Sequence, residues 1–171
     1  MGVPTAKGRR LRSLFNFPNP TNEVASRIVA AIVCSMCVTA IATGQAWLLI
    51  PITYGFWARA LTGPKLSPAS ALASRLVAPL LAKPKPVAGP PKRFAQAIGA
   101  GLSSMAAIFW FVPGWQAGTW VALGILAAAA FLEAAAGFCL GCKTFAIMMR
   151  LGLIPQRVCS ECADISLYYR H

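Results

Sequence analysis

The sequence predicts an all-α integral membrane protein: a four-helix bundle built from two helical hairpins, with cytoplasmic N- and C-termini. Three observations predict it. Of 171 residues, 57% are hydrophobic and 12% are charged, about half the charge of an average soluble domain. Apolar runs of membrane length recur along the chain. The charges are one-sided, with 16 Lys and Arg against 4 Asp and Glu, and the basic residues gather at one set of run ends. A formal charge of +12 would also suit a nucleic-acid binder. Here the basic residues alternate with membrane-length runs and no nucleic-acid motif is present, so the expected partner is the lipid bilayer and not nucleic acid.

Residues 1–21 form a basic lead containing Lys7, Arg9, Arg10 and Arg12. Followed by an apolar run, this lead also fits a signal peptide. No small-x-small cleavage site precedes Trp47 and further runs follow, so the first run is expected to be retained as a span. Residues 22–63 form the first transmembrane hairpin. Asn22 is a plausible N-cap, and Glu23 stands in the first turn, where the helix dipole favours a carboxylate. The first run is Ile28 to Thr43 and the second Ala46 to Leu61, joined by Gly44-Gln45. Both fall short of the roughly 20 residues that cross about 30 Å of hydrocarbon, but Val24 to Arg27 and Thr62 can extend them.

Residues 64–93 return on the cytoplasmic side as an interfacial segment, weakly amphipathic over Ser70 to Ala82, and a stiff Pro-rich linker, "KPKPVAGPPK". Residues 94–142 form the second transmembrane hairpin, with runs from Phe94 to Val112 and from Thr119 to Leu140. Residues 143–171 are a cytoplasmic Cys-containing tail. Within hydrocarbon the backbone must satisfy its own polar groups, so all four runs should be helices. Neither Gly44-Gln45 nor Pro113 to Thr119 carries a basic residue. The positive-inside rule therefore places both termini in the cytoplasm, in a multi-pass inner-membrane protein. Small residues at Ala30, Ala31, Gly99, Gly101, Ser103 and Ser104 should let helices approach closely.

All 6 cysteines fall in Cys-x-x-Cys pairs: Cys34/Cys37, Cys139/Cys142 and Cys159/Cys162. The last two pairs lie on the cytoplasmic side, where thiols stay reduced and stable disulfides are not expected. Together they read C-x2-C-x16-C-x2-C, a spacing suited to a four-thiolate zinc site made of Cys139, Cys142, Cys159 and Cys162. Gly152 and Pro155 can end a helix and turn the chain back toward the first pair. The same pairs can equally be reactive dithiols. Cys34 and Cys37 share one face of the first helix, roughly 9 to 14 Å inside the bilayer. There they could hold a soft metal ion or exchange sulfur, or simply pack. Glu133 lies at a similar depth in the fourth run. An intramembrane carboxylate is costly and is by default a functional candidate. No Ser/His/Asp set, phosphate loop or paired carboxylates can be assembled, so no catalytic residue is assigned.

"AGFCLGCKTFAIMMRLGL", together with "FNFPNPTNEVASRIVA", "RALTGPKLSP" and "GPPKRFAQAIG", resembles a bacterial family of short membrane proteins described only as a domain of unknown function. The resemblance covers nearly the whole chain. It implies four helices and no settled biochemistry; some members are encoded beside thioredoxin-like or sulfurtransferase proteins, which would suit thiol chemistry with such a partner. Many members of that family have Asn where Glu133 stands and lack a Cys pair in the first helix, so the resemblance lends no role to Glu133, Cys34 or Cys37.

Two functions follow as expectations. In the first, the protein handles thiols, sulfur species or soft metal ions at the cytoplasmic face. Cys34 and Cys37 receive the species within the bilayer, and Cys139/Cys142 and Cys159/Cys162 pass it to a cytosolic partner. In the second, the last four cysteines hold a structural zinc ion and the bundle is an accessory subunit of a larger membrane complex.

Overall fold

A computed structural model describes residues 21–63, 66–73 and 86–155. The described chain is helical apart from turns and one short ladder. In order it comprises β1 (Thr21–Asn22), α1 (Glu23–Thr43), a 3-10 turn (Ala46–Leu48), α2 (Leu49–Thr62), α3 (Pro68–Leu72), β2 (Pro86–Val87), α4 (Gly89–Phe111), α5 (Gln116–Ala136) and α6 (Leu140–Arg150).

Three helices, α1, α4 and α5, are long and apolar enough to cross a membrane. The second expected run becomes the 3-10 turn plus α2, together about 27 Å long at the rises of the two helix types. Pro51, lacking an N–H, sits in the first turn of α2, where no intrahelical donor is needed.

Asn22 caps α1 as the sequence predicts: its side chain accepts from the backbone N–H of Val24 at 3.0 Å, with Glu23 in the first turn. Gly44 closes the helix in the left-handed conformation at φ 66°. What the sequence does not foretell is the two-residue antiparallel ladder of β1 with β2, pairing Thr21 with Val87 and Asn22 with Pro86. It ties the starts of α1 and α4 together.

The two hairpins interleave. Although α1 and α2 are adjacent in the chain, α1 packs along α5, and α2 along α4, which also packs on α5 and α6. Val29, Val33, Cys37, Ile52, Phe56, Leu123 and Leu126 are buried between them. Gly99 of α4 is necessary at its crossing with α2: a Cβ there would stand 2.3 Å from the Phe56 ring. Ser103 is fully buried, and Ser104 accepts from the Trp57 indole N–H at 3.0 Å. The expected small-residue face is only half right, because Ala31 is exposed and Gly101 meets no neighbour within 4 Å. Large apolar side chains, among them Ile50, Ile98, Ile108, Phe111, Val121 and Phe131, point outward, as they should where lipid replaces water.

The fourth expected run is cut short. α5 ends at Ala136, and Gly137 takes the left-handed conformation at φ 67°, with its N–H donating back to the Glu133 carbonyl at 3.0 Å. The chain turns there, ahead of Gly152 and Pro155, and a new helix begins at Leu140.

Candidate dithiol site

The early turn at Gly137 determines the chemistry of the Cys139/Cys142 pair. Cys139 does not finish α5; it is the N-cap of α6. Its Sγ accepts from the backbone N–H of Cys142 at 3.4 Å. The free N–H groups of a helix start, and its dipole, favour a thiolate at that position. Hydrogen bonding between the two thiols sets their acidities apart. This bond, first of all, holds the Cys139 thiol below the usual cysteine range; Lys92 acts in the same sense, against burial and the Glu133 carboxylate. The same bond, then burial, pushes the Cys142 thiol up. The pair is thus unequal, with a thiolate-prone Cys139 and a proton-holding Cys142.

α6 is held in place by close packing. A Cβ on Gly141 would stand 2.5 Å from the Ala95 Cβ and 2.6 Å from its Cα, so only glycine lets α6 approach α4 this closely. Phe145 is buried and its ring lies 5.5 Å from that of Phe94. On another face, Leu140, Ile147 and Leu151 are exposed, flanked by exposed Lys143 and Arg150. That arrangement is the pattern of a helix lying in a membrane interface.

Glu133, the carboxylate expected within the membrane, has a partner. The Lys92 ammonium donates to its Oε1 at 2.5 Å, and the two side chains are only 9% and 15% exposed. Arg59 is buried nearby: its Nε–H donates to Gln96 Oε1 at 2.8 Å, and its guanidinium lies 4.6 Å from the centre of the Phe56 ring. Sequence reasoning missed Lys92 and Arg59 as site residues, taking both only as charges that orient the protein. The available signal was Glu133 itself, since a buried carboxylate needs a cation from a neighbouring helix. Arg27 donates to the Ala134 and Ala135 carbonyls at the end of α5, at 3.1 and 2.7 Å.

Cys139 borders two cavities. One, of about 340 Å³, is open and is lined by Glu23, Lys92, Phe138, Cys139, Cys142 and Lys143. The other, of about 210 Å³, runs into the bundle and is mainly apolar. Cys34 and Cys37 line neither. They lie on α1, roughly 16 and 21 Å along its axis from Glu23, Cys37 fully buried and Cys34 partly so. Cys159 and Cys162, the other half of the expected zinc site, lie outside the described residues. Among the described residues no group of three or more His, Cys, Asp or Glu side chains is placed to hold a metal ion.

The sequence pattern of a family described as "Domain of unknown function (DUF4395)" matches residues 21–150. No curated protein and no solved structure matches the chain.

Proposed function

The chain belongs to that family, whose function is not established, and we propose from its own residues that it is a membrane-embedded dithiol protein that exchanges electrons or sulfur through Cys139 and Cys142. One observation carries this: Cys139 caps α6 with its sulfur accepting from the Cys142 N–H, beside the Lys92–Glu133 pair. This is how a Cys-x-x-Cys pair divides into an attacking and a resolving thiol.

The chemistry balances without a further reactant beyond a disulfide. The Cys139 thiolate attacks one sulfur of a substrate disulfide, that S–S bond breaks, and one thiolate leaves. The Cys142 thiol then loses its proton and attacks the Cys139 sulfur. The second substrate thiolate departs and a Cys139–Cys142 disulfide remains. The reverse sequence reduces the pair. With a sulfane-sulfur donor the thiolate instead attacks the outer sulfur, whose bond to the donor breaks; the donor leaves as a thiolate or sulfite and a persulfide remains on Cys139.

Placement at the cytoplasmic face follows from the positive-inside rule. Arg27, Arg59, Lys92, Arg93, Lys143 and Arg150 all belong to the end of the bundle that carries Cys139, whereas the Gly44 and Pro113 turns carry no basic residue. With α2 and its 3-10 turn counted as the shortest crossing, the protein passes the membrane four times and both termini face the cytoplasm. A thioredoxin-like protein or a sulfurtransferase, which present a single reactive sulfur, suits the open cavity as a partner.

The test is mixed-disulfide trapping. Cys142→Ser should accumulate an adduct at Cys139 when the reduced protein in mild detergent meets glutathione disulfide, whereas Cys139→Ser should trap nothing. Equal trapping by both variants would show that the two sulfurs are not divided in this way.

A further inference from the structure

The second cavity bordered by Cys139 has the opposite character to the first. Its walls are apolar side chains of the bundle interior, including Val29, Val33, Phe56, Leu102 and Leu126. Ile98 of α4, Ile125 of α5 and Leu140 of α6 line it too, and these three are 46%, 55% and 45% exposed. Ile98 and Ile125 lie on the outer surface of α4 and α5, helices apolar enough to cross the membrane. The cavity therefore opens sideways toward hydrocarbon. Its polar lining residues include Arg59 with its Gln96 partner, Glu133 and Cys139.

A water-soluble molecule does not enter through such a mouth, because leaving water for hydrocarbon costs each unpaired polar group several kcal/mol. A ligand with an apolar tail and a compact, hydrogen-bond-accepting head does. A cavity of about 150 Å³ accommodates a benzene ring, so one of about 210 Å³ takes a single substituted ring whose tail leaves between Ile98 and Ile125. Cys139 lines this cavity and Cys142 lines the open one, and a dithiol gives up electrons in pairs. The membrane-soluble carriers that take electrons in pairs, and whose carbonyl oxygens accept hydrogen bonds from a guanidinium, are quinones.

Building on the dithiol function proposed above, we infer that this cavity is a binding site for a lipid-soluble quinone, which oxidises the Cys139–Cys142 pair from within the membrane. Two electrons pass from the two sulfurs to the quinone as the S–S bond forms. The Cys142 thiol proton and one proton from the water-filled side complete the quinol. The open cavity and the lateral cavity then serve the two half-reactions of one cycle. A thiol partner in water is oxidised by the disulfide, and a quinone in the membrane regenerates it.

The test uses the full chain, reduced and reconstituted into nanodiscs, with a fully ring-substituted short-chain ubiquinone as probe. Expected are one quinol formed per chain and a Cys139–Cys142 disulfide, identified by mass spectrometry. Ile98→Trp and, separately, Ile125→Trp fill the mouth from either helix. Each should slow quinone reduction at least ten-fold relative to oxidation by glutathione disulfide in the same preparation, and either variant alone suffices if the other does not fold. If glutathione disulfide oxidises the pair but the quinone does not, or if both Trp variants keep the full quinone rate, this inference is overturned and the dithiol proposal stands. If neither oxidant forms the disulfide, both fall.

Discussion

Replacing Glu133 by Gln removes one half of a buried ion pair and leaves the Lys92 ammonium, only 9% exposed, without its counter-charge. Breaking a buried pair from one side costs about 3–5 kcal/mol, which for a chain of this size lowers the melting temperature by roughly 6–20 °C. Lys92→Met should cost a similar amount, because it strands the carboxylate. The double variant, Lys92→Met with Glu133→Leu, should recover most of the loss, since an apolar pair of similar volume removes both desolvation costs. The thiols give a second, signed readout. Glu133 raises the Cys139 pKa and Lys92 lowers it, so Glu133→Gln should speed alkylation of Cys139 near neutral pH and Lys92→Met should slow it. The assay is thermal unfolding in detergent alongside residue-resolved alkylation rates by peptide mapping. Alkylation rates moving the same way in both single variants, or a double variant no more stable than the singles, would refute the assignment of this pair to the thiol site.

Further predictions concern the packing that presents the dithiol. Gly141→Ala brings a methyl group within 2.6 Å of the Ala95 backbone. It should push α6 away from α4, cost about 1–3 kcal/mol by overpacking, and slow thiol exchange at Cys139, seen in thermal melts and exchange kinetics. Gly137→Ala forces a side chain into φ 67° and to 3.0 Å from Glu23 Oε1; a loss of about 1–2 kcal/mol is expected, measured in the same way. Replacing Cys34 and Cys37 together by Ala should lower stability, since Cys37 is fully buried, yet leave the trapping chemistry of Cys139 in place. Loss of trapping in that variant would establish the relay from the first helix.

Much of the architecture is legible in the sequence because the bilayer leaves few choices. Long apolar runs must be helices, and Asn22, Glu23 and Gly44 act as the cap, first-turn acid and terminator that their types suggest. The end of the fourth run is not legible, because a glycine in "AAAGFCLGC" reads equally as a small residue within a span. The left-handed turn at Gly137 is fixed by tertiary contacts: Arg27 takes the last carbonyls of α5, and Ala95 admits only Gly141. The Cys139/Cys142 pair was visible as a motif, but its asymmetry arises from its place at a helix start, which composition does not encode. Lys92 and Arg59 were hidden for a related reason. Counted as topology signals they need only lie at a helix end, whereas the interleaving of the two hairpins turns them inward, toward Glu133 and Gln96. The β1–β2 ladder joins residues 66 positions apart and has no local signature.

The most direct test of the central claim is a redox titration of the full chain, purified anaerobically in mild detergent, with metal content measured on the same sample. The dithiol account predicts that Cys139 and Cys142 interconvert reversibly between thiols and one disulfide, following a two-electron couple of roughly 30 mV per tenfold change, without a stoichiometric metal ion. One zinc ion per chain, with Cys139, Cys142, Cys159 and Cys162 all unreactive until a chelator removes it, would contradict that account and make the pair half of a structural clasp.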